Sequence, residues 1–446
     1  MENLNRRFLF ACLVYFISLV FIGYYSVQNQ FESILIPSAA AFISFLTLFK
    51  SINSKEKLNS VLGLIIFVKL CIFFSFPHLS DDIYRFWWDG FLSCNGFNPY
   101  KYSPTEILSQ IQDENIIRSL QKNYSLLNSA RYHTVYPLVC QWIFRISASI
   151  SGDNMYAFNL ILKTIFLVAD GLILFLLLKL STLIQFPRKN VILFFGNPLC
   201  IIELNANLHF EILLILFLIL GIYLFIKKKF LFSGIQLGLS IVSKLVSILW
   251  IPLFLKKSST IKSYLLFLLG LLIPVGLFII ELIPTFGNYK NSLSLYFQRF
   301  EFNSFLYKPI LDYFIAQEWY QSIPLISMIL MGVFIITYLI IVFKNWIRNA
   351  QRFSFESAWL ILFLYLVLSS TVHPWYMTPL IVLSVFTFWK TSMVWSFLIL
   401  LSYARYDSVF ISYEPYLIMV EYFIVIGFLF FEYRKRQVDF GMAIKK

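Results

Sequence analysis

The chain reads as an all-α polytopic membrane protein, a bundle of about 12 transmembrane helices plus one re-entrant or short-helix hairpin. Three observations predict this. Of 446 residues, 59% are hydrophobic and only 13% charged, against roughly a quarter charged in soluble domains. The apolar residues fall in long unbroken runs, where a membrane barrel would show short alternating segments. Basic residues gather in loops that all face one side once the runs are taken as crossings, as cytoplasmic loops do.

About 20 apolar residues cross a bilayer as a helix. The first runs are Phe8–Val27, Ser33–Phe49 and Ser60–Phe76, separated by short polar links. Tyr156–Leu180, Val191–Asn205, His209–Ile226 and Tyr264–Ile283 follow. The last are Ile323–Phe343, Phe355–Val372, Tyr376–Trp389, Met393–Ser412 and Pro415–Phe431. Basic clusters set the orientation: Arg6/Arg7, Lys50/Lys55/Lys57, Arg188/Lys189, Lys227–Lys229, Lys256/Lys257/Lys262, Lys344/Arg348/Arg352 and Arg434/Lys435/Arg436 all fall on one side. Both termini are therefore expected in the cytoplasm. The net charge of +13 is explained by this bias, and a nucleic-acid partner is not expected. The five cysteines show neither a CxxC pair nor a disulfide framework. Cys94 and Cys140 are expected to remain unpaired. The first run lacks a small-residue cleavage site and reads as a span, not as a cleavable signal peptide.

Residues 230–255 are apolar yet have basic loops at both ends, so they cannot cross once. They predict a re-entrant hairpin or two short helices with Lys244 in the second half. Backbone broken at membrane depth needs protein or a watery cavity around it. Two long segments, 77–155 and 284–322, are left outside. In the first, Ile107, Ile111, Ile117, Leu120, Tyr124 and Leu127 recur at helical spacing, and Pro137–Ile150 reads as an interfacial helix. The second is dense in aromatics from Tyr296 to Tyr307. The whole is read as one membrane domain, 1–446.

The densest polar cluster is His78-Leu79-Ser80-Asp81-Asp82-Ile83-Tyr84-Arg85-Phe86-Trp87-Trp88-Asp89-Gly90, followed by Gly96-Phe97-Asn98-Pro99-Tyr100. Adjacent carboxylates at an apolar boundary are partly desolvated, which raises a carboxyl pKa and suits it to general-base work. In a helix, Asp82, Arg85 and Asp89 share a face. An acidic cap with a solvated face is the plain alternative. Asp170 and Lys163, seven residues apart, are expected to make a structural polar contact within the bundle.

The acidic cluster resembles the first outer loop of GT-C fold glycosyltransferases, and is most similar to the bacterial relatives of polyprenol-phosphate-mannose-dependent mannosyltransferases. Further stretches agree in order. Thr134-Val135-Tyr136-Pro137 resembles the family's Thr-hydrophobic-Tyr-Pro-Pro element, with Leu138 at the second proline. Glu203-Leu204-Asn205-Ala206-Asn207-Leu208-His209-Phe210-Glu211 resembles its Glu…Gly-His-Asn-Asp turn, with Leu208 at the glycine, Phe210 at the Asn and Glu211 at the last Asp. Gly238 to Lys244 with Pro252, then Phe302-Asn303-Ser304 and His373-Pro374-Trp375-Tyr376, also match.

The resemblance implies transfer of a hexose, mannose first, from a polyprenyl-phosphate donor to a glycan or glycolipid acceptor at the outer face of a bacterial inner membrane, with inversion. It implies Asp82 as general base, with Asp81 the alternative. Lys244, Arg85, Arg131 and Arg299 are candidates for the donor phosphate, which needs charge-assisted partners. A lysine within a membrane segment is costly and usually functional, although Lys244 could snorkel to the cytoplasm. Asp89, Asn98, Tyr136, Asn207, His209, Glu211, His373, Trp375 and Tyr376 are candidates for sugar and cavity contacts. No metal or other cofactor is expected. A transporter or flippase of a lipid-linked sugar is the competing reading, favoured by the hairpin but not by the long acidic loop or the lack of a visible repeat. A non-catalytic scaffold is the third.

Overall fold

The computed structural model describes residues 2–255, 260–298, 300–347 and 353–444. Their regular structure is helical, apart from a single isolated bridge between Phe302 and Thr371. Among the described residues six helices are long and apolar enough to cross a bilayer: Arg6–Tyr25, Phe31–Ser51, Met155–Leu183, Ile261–Ser294, Tyr320–Ile347 and Ile411–Arg436. A seventh span results if the pair Pro198–Ala206 and Glu211–Ile226, bent by 112°, is taken as one.

The remaining apolar runs, which the sequence places among twelve crossings, form shorter pieces. Residues 188–206 are four short helical segments, punctuated where Asn197 caps the turn starting at Pro198. Residues 374–384 and 391–406 are similarly divided. The cause is local: proline cannot donate into a helix, and Asn, Ser and Thr offer the backbone competing hydrogen bonds. These interrupted segments are deeply buried, as in Ile201, Leu204, Leu380 to Leu383 and Ile399. Apolar length here builds the centre of the bundle instead of a lipid-facing helix. The helix Lys55–Ile72 is likewise interior on one side, where Lys69 pairs with Asp170 at 2.5 Å. Lys163 instead donates to Ser75 Oγ at 2.7 Å and to the Ile72 carbonyl at 3.1 Å. The expected Lys163–Asp170 contact is thus replaced by two separate ones. Seven residues advance about 10 Å along a helix, too far for the two side chains to meet, so a neighbouring helix supplies each partner.

Residues 230–255 are two short helical arms, Phe230–Ile241 and Leu245–Phe254, joined at 242–244. The first arm packs on Ile261–Leu282 at very close range. A Cβ on Gly234 would lie 2.0 Å from the Phe267 carbonyl oxygen, and one on Gly270 2.0 Å from that of Leu231. Small residues permit such backbone approach between membrane helices. Gly234→Ala is expected to cost about 1–3 kcal/mol through overpacking, read as a lower unfolding temperature in nanodiscs. Gly276→Ala, where a Cβ meets open space, is expected to leave it unchanged.

Segment 77–155 holds helices Asp82–Cys94, Pro104–Ile107, Glu114–Tyr124 and Leu138–Ser151. The periodic stretch from Ile107 is split because Asp113 caps a fresh helix by accepting from Asn115 and Ile116. Leu138–Ser151 buries Phe144 and Ala148 and exposes Trp142, Ile146 and Ile150. That stripe at every fourth residue is the apolar face of a surface helix. Gly90 lets Asp82–Cys94 cross it closely, since a Cβ there would lie 2.3 Å from the Phe144 carbonyl oxygen. The start of the surface helix in turn holds the hairpin tip: Val139 N donates to Val242 at 3.0 Å and Cys140 Sγ to Ser243 at 3.2 Å. The hairpin tip is therefore fixed against the loop that carries the acidic cluster. In segment 284–322, the helix from Ile261 runs on to Ser294, further than the sequence places its end, and Tyr307–Ala316 follows.

Candidate functional site

The chain bends twice to build the site. Ile201–Ala206 is a π-helical turn, a geometry frequent at functional sites, and it carries Glu203. Next, Leu208 adopts φ +62° before His209 and the helix that begins at Glu211. A left-handed backbone favours glycine, which accounts for the glycine that the resembling families place there. Leu208 is fully buried, so here packing holds a conformation that residue type does not favour.

His209 sits at the bend and is 2% exposed. Its Nε2 faces Glu203 Oε2 at 3.2 Å, and its Nδ1 faces Asp82 Oδ2 at 3.9 Å. Asp82 opens the helix Asp82–Cys94 and is partly exposed. Asn207 ties the two segments together, its Oδ1 accepting from Leu79 N at 3.2 Å. Glu203 also accepts the Tyr403 hydroxyl at 2.8 Å. Tyr406, whose phenol pKa is raised by burial and by the nearby carboxylates of Asp82 and Glu203, lies on the same side.

Four rings form a column behind these groups. His209 stacks on Trp375 at 3.7 Å, Trp375 on His373 at 4.4 Å, and His373 on Phe302 at 4.5 Å. Two imidazoles that close to one indole cannot share a face, so both faces of Trp375 are covered. Neither face is left open for a sugar to stack on. His373 is held neutral, its pKa pushed down to about 3 by burial and then by Lys244 and His209. Phe302 is fixed by the backbone: it donates to Ser370 at 3.1 Å and accepts from Val372 at 2.8 Å. Lys244 forms an ion pair with Glu211 and lies 4.6 Å from the centre of the Tyr376 ring. Glu211 is 2% exposed and the Lys244 side chain 31%, so the lysine, unlike its partner, is not enclosed. It points to this cluster and does not snorkel to the far end of the hairpin.

Other sequence candidates lie elsewhere. Arg85 is buried and donates to Asp89 at 2.8 Å, to Ser129 and to the Tyr132 carbonyl at 3.0 Å. Asp89 accepts from Gln141 at 2.9 Å as well. The two share a helix face as the spacing predicts, but use it on each other and on the loop 129–134. Asn98 is exposed and accepts from Tyr100 N at 2.8 Å, which makes it a turn residue. Tyr136 packs edge-on to Phe86 and Phe144, and its carbonyl accepts from Tyr100. Arg131 is exposed on a turn. Arg299 lies outside the described residues. Among the described residues no cluster of His, Cys, Asp or Glu is arranged to hold a metal ion, and Cys94 and Cys140 are free thiols.

Three contributors were not singled out as site residues from the sequence. Glu203 is an acid inside an apolar run, the same costly burial that drew attention to Lys244. Tyr403 and Tyr406 carry no local signal: Tyr403 bonds Glu203, 200 residues away, and Tyr406 is near the distant carboxylates of Asp82 and Glu203.

Asp81, next to Asp82, has its carboxyl pKa raised by desolvation. A raised folded-state value means that its stabilising contribution is present at low pH and lost as pH rises through that value. Asp81→Asn is accordingly expected to unfold at a higher temperature than the wild type near neutral pH, with the difference vanishing below the ordinary aspartate value of 3.8. A thermal series from pH 3 to 8 checks this.

No curated protein and no solved structure matches the chain. A family model does: the N-terminal domain of alpha-(1->6)-mannopyranosyltransferases matches residues 26–257. That stretch covers just over half of the chain and takes in the acidic helix, the Glu203–Glu211 turn and the hairpin. The column residues Phe302, His373 and Trp375, with Tyr403 and Tyr406, lie beyond it. With the acidic helix, bend and hairpin all inside the match, the chain belongs to the MptA/B family of alpha-(1->6)-mannopyranosyltransferases and is a glycosyltransferase of the mannosyl type.

Proposed function

We propose that the protein transfers mannose from a polyprenyl-phosphate donor to the 6-hydroxyl of an α-mannoside outside the cytoplasm, with inversion at the transferred centre. The acceptor hydroxyl oxygen attacks the anomeric carbon, and the carbon–oxygen bond to phosphate breaks with its electron pair leaving on polyprenyl phosphate. The acceptor proton passes to the Asp82 carboxylate. Lys244 stabilises the departing phosphate with the donors that Glu211 leaves free, at the surface where a lipid-borne headgroup would lie. His373 and Trp375 form the back wall, and Asn207 holds the acidic loop in place.

The observation that carries this reading is the position of Asp82. It is the partly exposed carboxylate that faces buried His209, at 3.9 Å, with Glu211 and Lys244 following on the next helix and the hairpin. The interfacial stripe Trp142/Ile146/Ile150 supports a site at the bilayer surface, and the basic loops favour the outer face with both termini in the cytoplasm. The test uses purified protein, citronellyl-phosphoryl mannose and octyl α-mannoside. Release of citronellyl phosphate in step with formation of a mannosyl-(1→6)-mannoside is the expected result. Intact donor after prolonged incubation would speak for a transporter or a scaffold.

A further inference from the structure

We infer that Glu203 is a positioning residue, acting through His209 to set the direction of the Asp82 carboxylate. The inference builds on the function proposed above and assigns a role to a side chain that makes no contact with solvent. Glu203 is completely buried, and its two oxygens face different partners. Oε1 accepts the Tyr403 hydroxyl at 2.8 Å, which fixes the carboxylate plane. Oε2 faces His209 Nε2 at 3.2 Å, near enough to accept a proton-bearing nitrogen after a small ring rotation, although both atoms are without a hydrogen bond as they stand.

His209 has few freedoms left. One ring face is covered by Trp375 at 3.7 Å, and Nε2 is turned to Glu203. With 2% of its side chain exposed, it is almost wholly enclosed. Its remaining nitrogen, Nδ1, is 3.9 Å from Asp82 Oδ2. A carboxyl group paired with Nε2 fixes which ring nitrogen carries the proton, and so whether Nδ1 donates to the Asp82 carboxylate or accepts from its O–H once Asp82 has taken the acceptor proton. Either hydrogen bond holds the Asp82 side chain in one orientation. Tyr403 and Glu203 thus form the fixed end of a line that runs Tyr403, Glu203, His209, Asp82. The same line selects between the two adjacent acids, because only Asp82 is placed against His209.

The experiment compares full-length wild type, Glu203→Leu, Glu203→Gln and Glu203→Leu with Tyr403→Phe in nanodiscs. Mannose transfer from citronellyl-phosphoryl mannose to octyl α-mannoside gives kcat and KM. Labelling of Asp82 by a water-soluble carbodiimide, read by peptide mass spectrometry, reports on its carboxylate without any turnover. Glu203→Leu should lower kcat ~10- to 100-fold with donor KM within ~3-fold, and raise Asp82 labelling at least ~3-fold. Glu203→Gln, which keeps a carbonyl acceptor for Nε2, should recover most of both. If Glu203→Leu alone fails to fold, the double variant, which strands no hydroxyl, carries the same comparison. Unchanged kcat and unchanged labelling in the leucine variants overturn the positioning role while leaving the transferase reading intact. A wild type that transfers no mannose overturns that reading, and the labelling then still decides whether Glu203 orients Asp82.

Discussion

Asp82→Asn should lower mannose transfer by about 10²- to 10⁴-fold, the range that a positioned general base contributes, with donor KM changed by less than about threefold. Asparagine keeps the size and the hydrogen-bonding edge of the side chain, so the helix Asp82–Cys94 and the contact with His209 should persist. What disappears is the basic lone pair. Asp81→Asn is the matched control. Asp81 is not placed against His209, and its replacement should leave kcat within a few-fold while shifting stability as described. Equal losses in the two variants would mean that the pair acts by charge alone. Measuring both with one donor preparation removes differences in lipid handling, and a full kcat and KM analysis separates chemistry from binding.

The second large effect is expected at Lys244. Lys244→Met leaves Glu211 buried with no counter-charge, and breaking a buried pair in this way costs about 3–5 kcal/mol, somewhat less here because Lys244 is partly exposed. The variant should unfold at a clearly lower temperature and lose transfer. Adding Glu211→Gln removes the stranded charge and should return most of the stability without returning transfer, since the cation for the leaving phosphate is still missing. Stability and activity recovering together would reduce Lys244 to a structural ion-pair member.

The fold class was legible because it depends on quantities that sum along the chain. Apolar content and the side on which lysines and arginines gather are enough to identify a helical membrane protein. Counting the spans was harder. Val191–Asn205 and Tyr376–Trp389 are as apolar as a crossing needs, yet Asn197, Pro198 and Pro379 interrupt them and burial surrounds them with other helices. Run length registers neither effect. The hairpin was legible from charge logic, because basic residues at both ends of 230–255 forbid a single crossing.

In the site, burial cost drew attention to Lys244, and the ordered short motifs brought in His209, Glu211, His373 and Trp375; these side chains lie around His209, which in turn faces Asp82. Helical spacing was correct for Arg85 and Asp89 but silent about direction: they satisfy each other and the loop 129–134. Glu203 met the same burial criterion as Lys244. It was passed over because its partners, Tyr403 and His209, come together only through the π-turn and the fold of the last third of the chain. Tyr403 and Tyr406 had no signal to offer, one tyrosine among 26 being indistinguishable from another without the contact.

The most direct test of the account is a cryo-EM structure of the full chain in nanodiscs with a non-hydrolysable mannosyl phosphonate on a short isoprenoid. The expected map places the mannose within hydrogen-bonding reach of Asp82 and the phosphonate against the Lys244 ammonium, with the lipid running out into the surrounding bilayer. A headgroup seated away from Asp82, for instance in the apolar groove between Pro252, Tyr264 and Phe343, would contradict it.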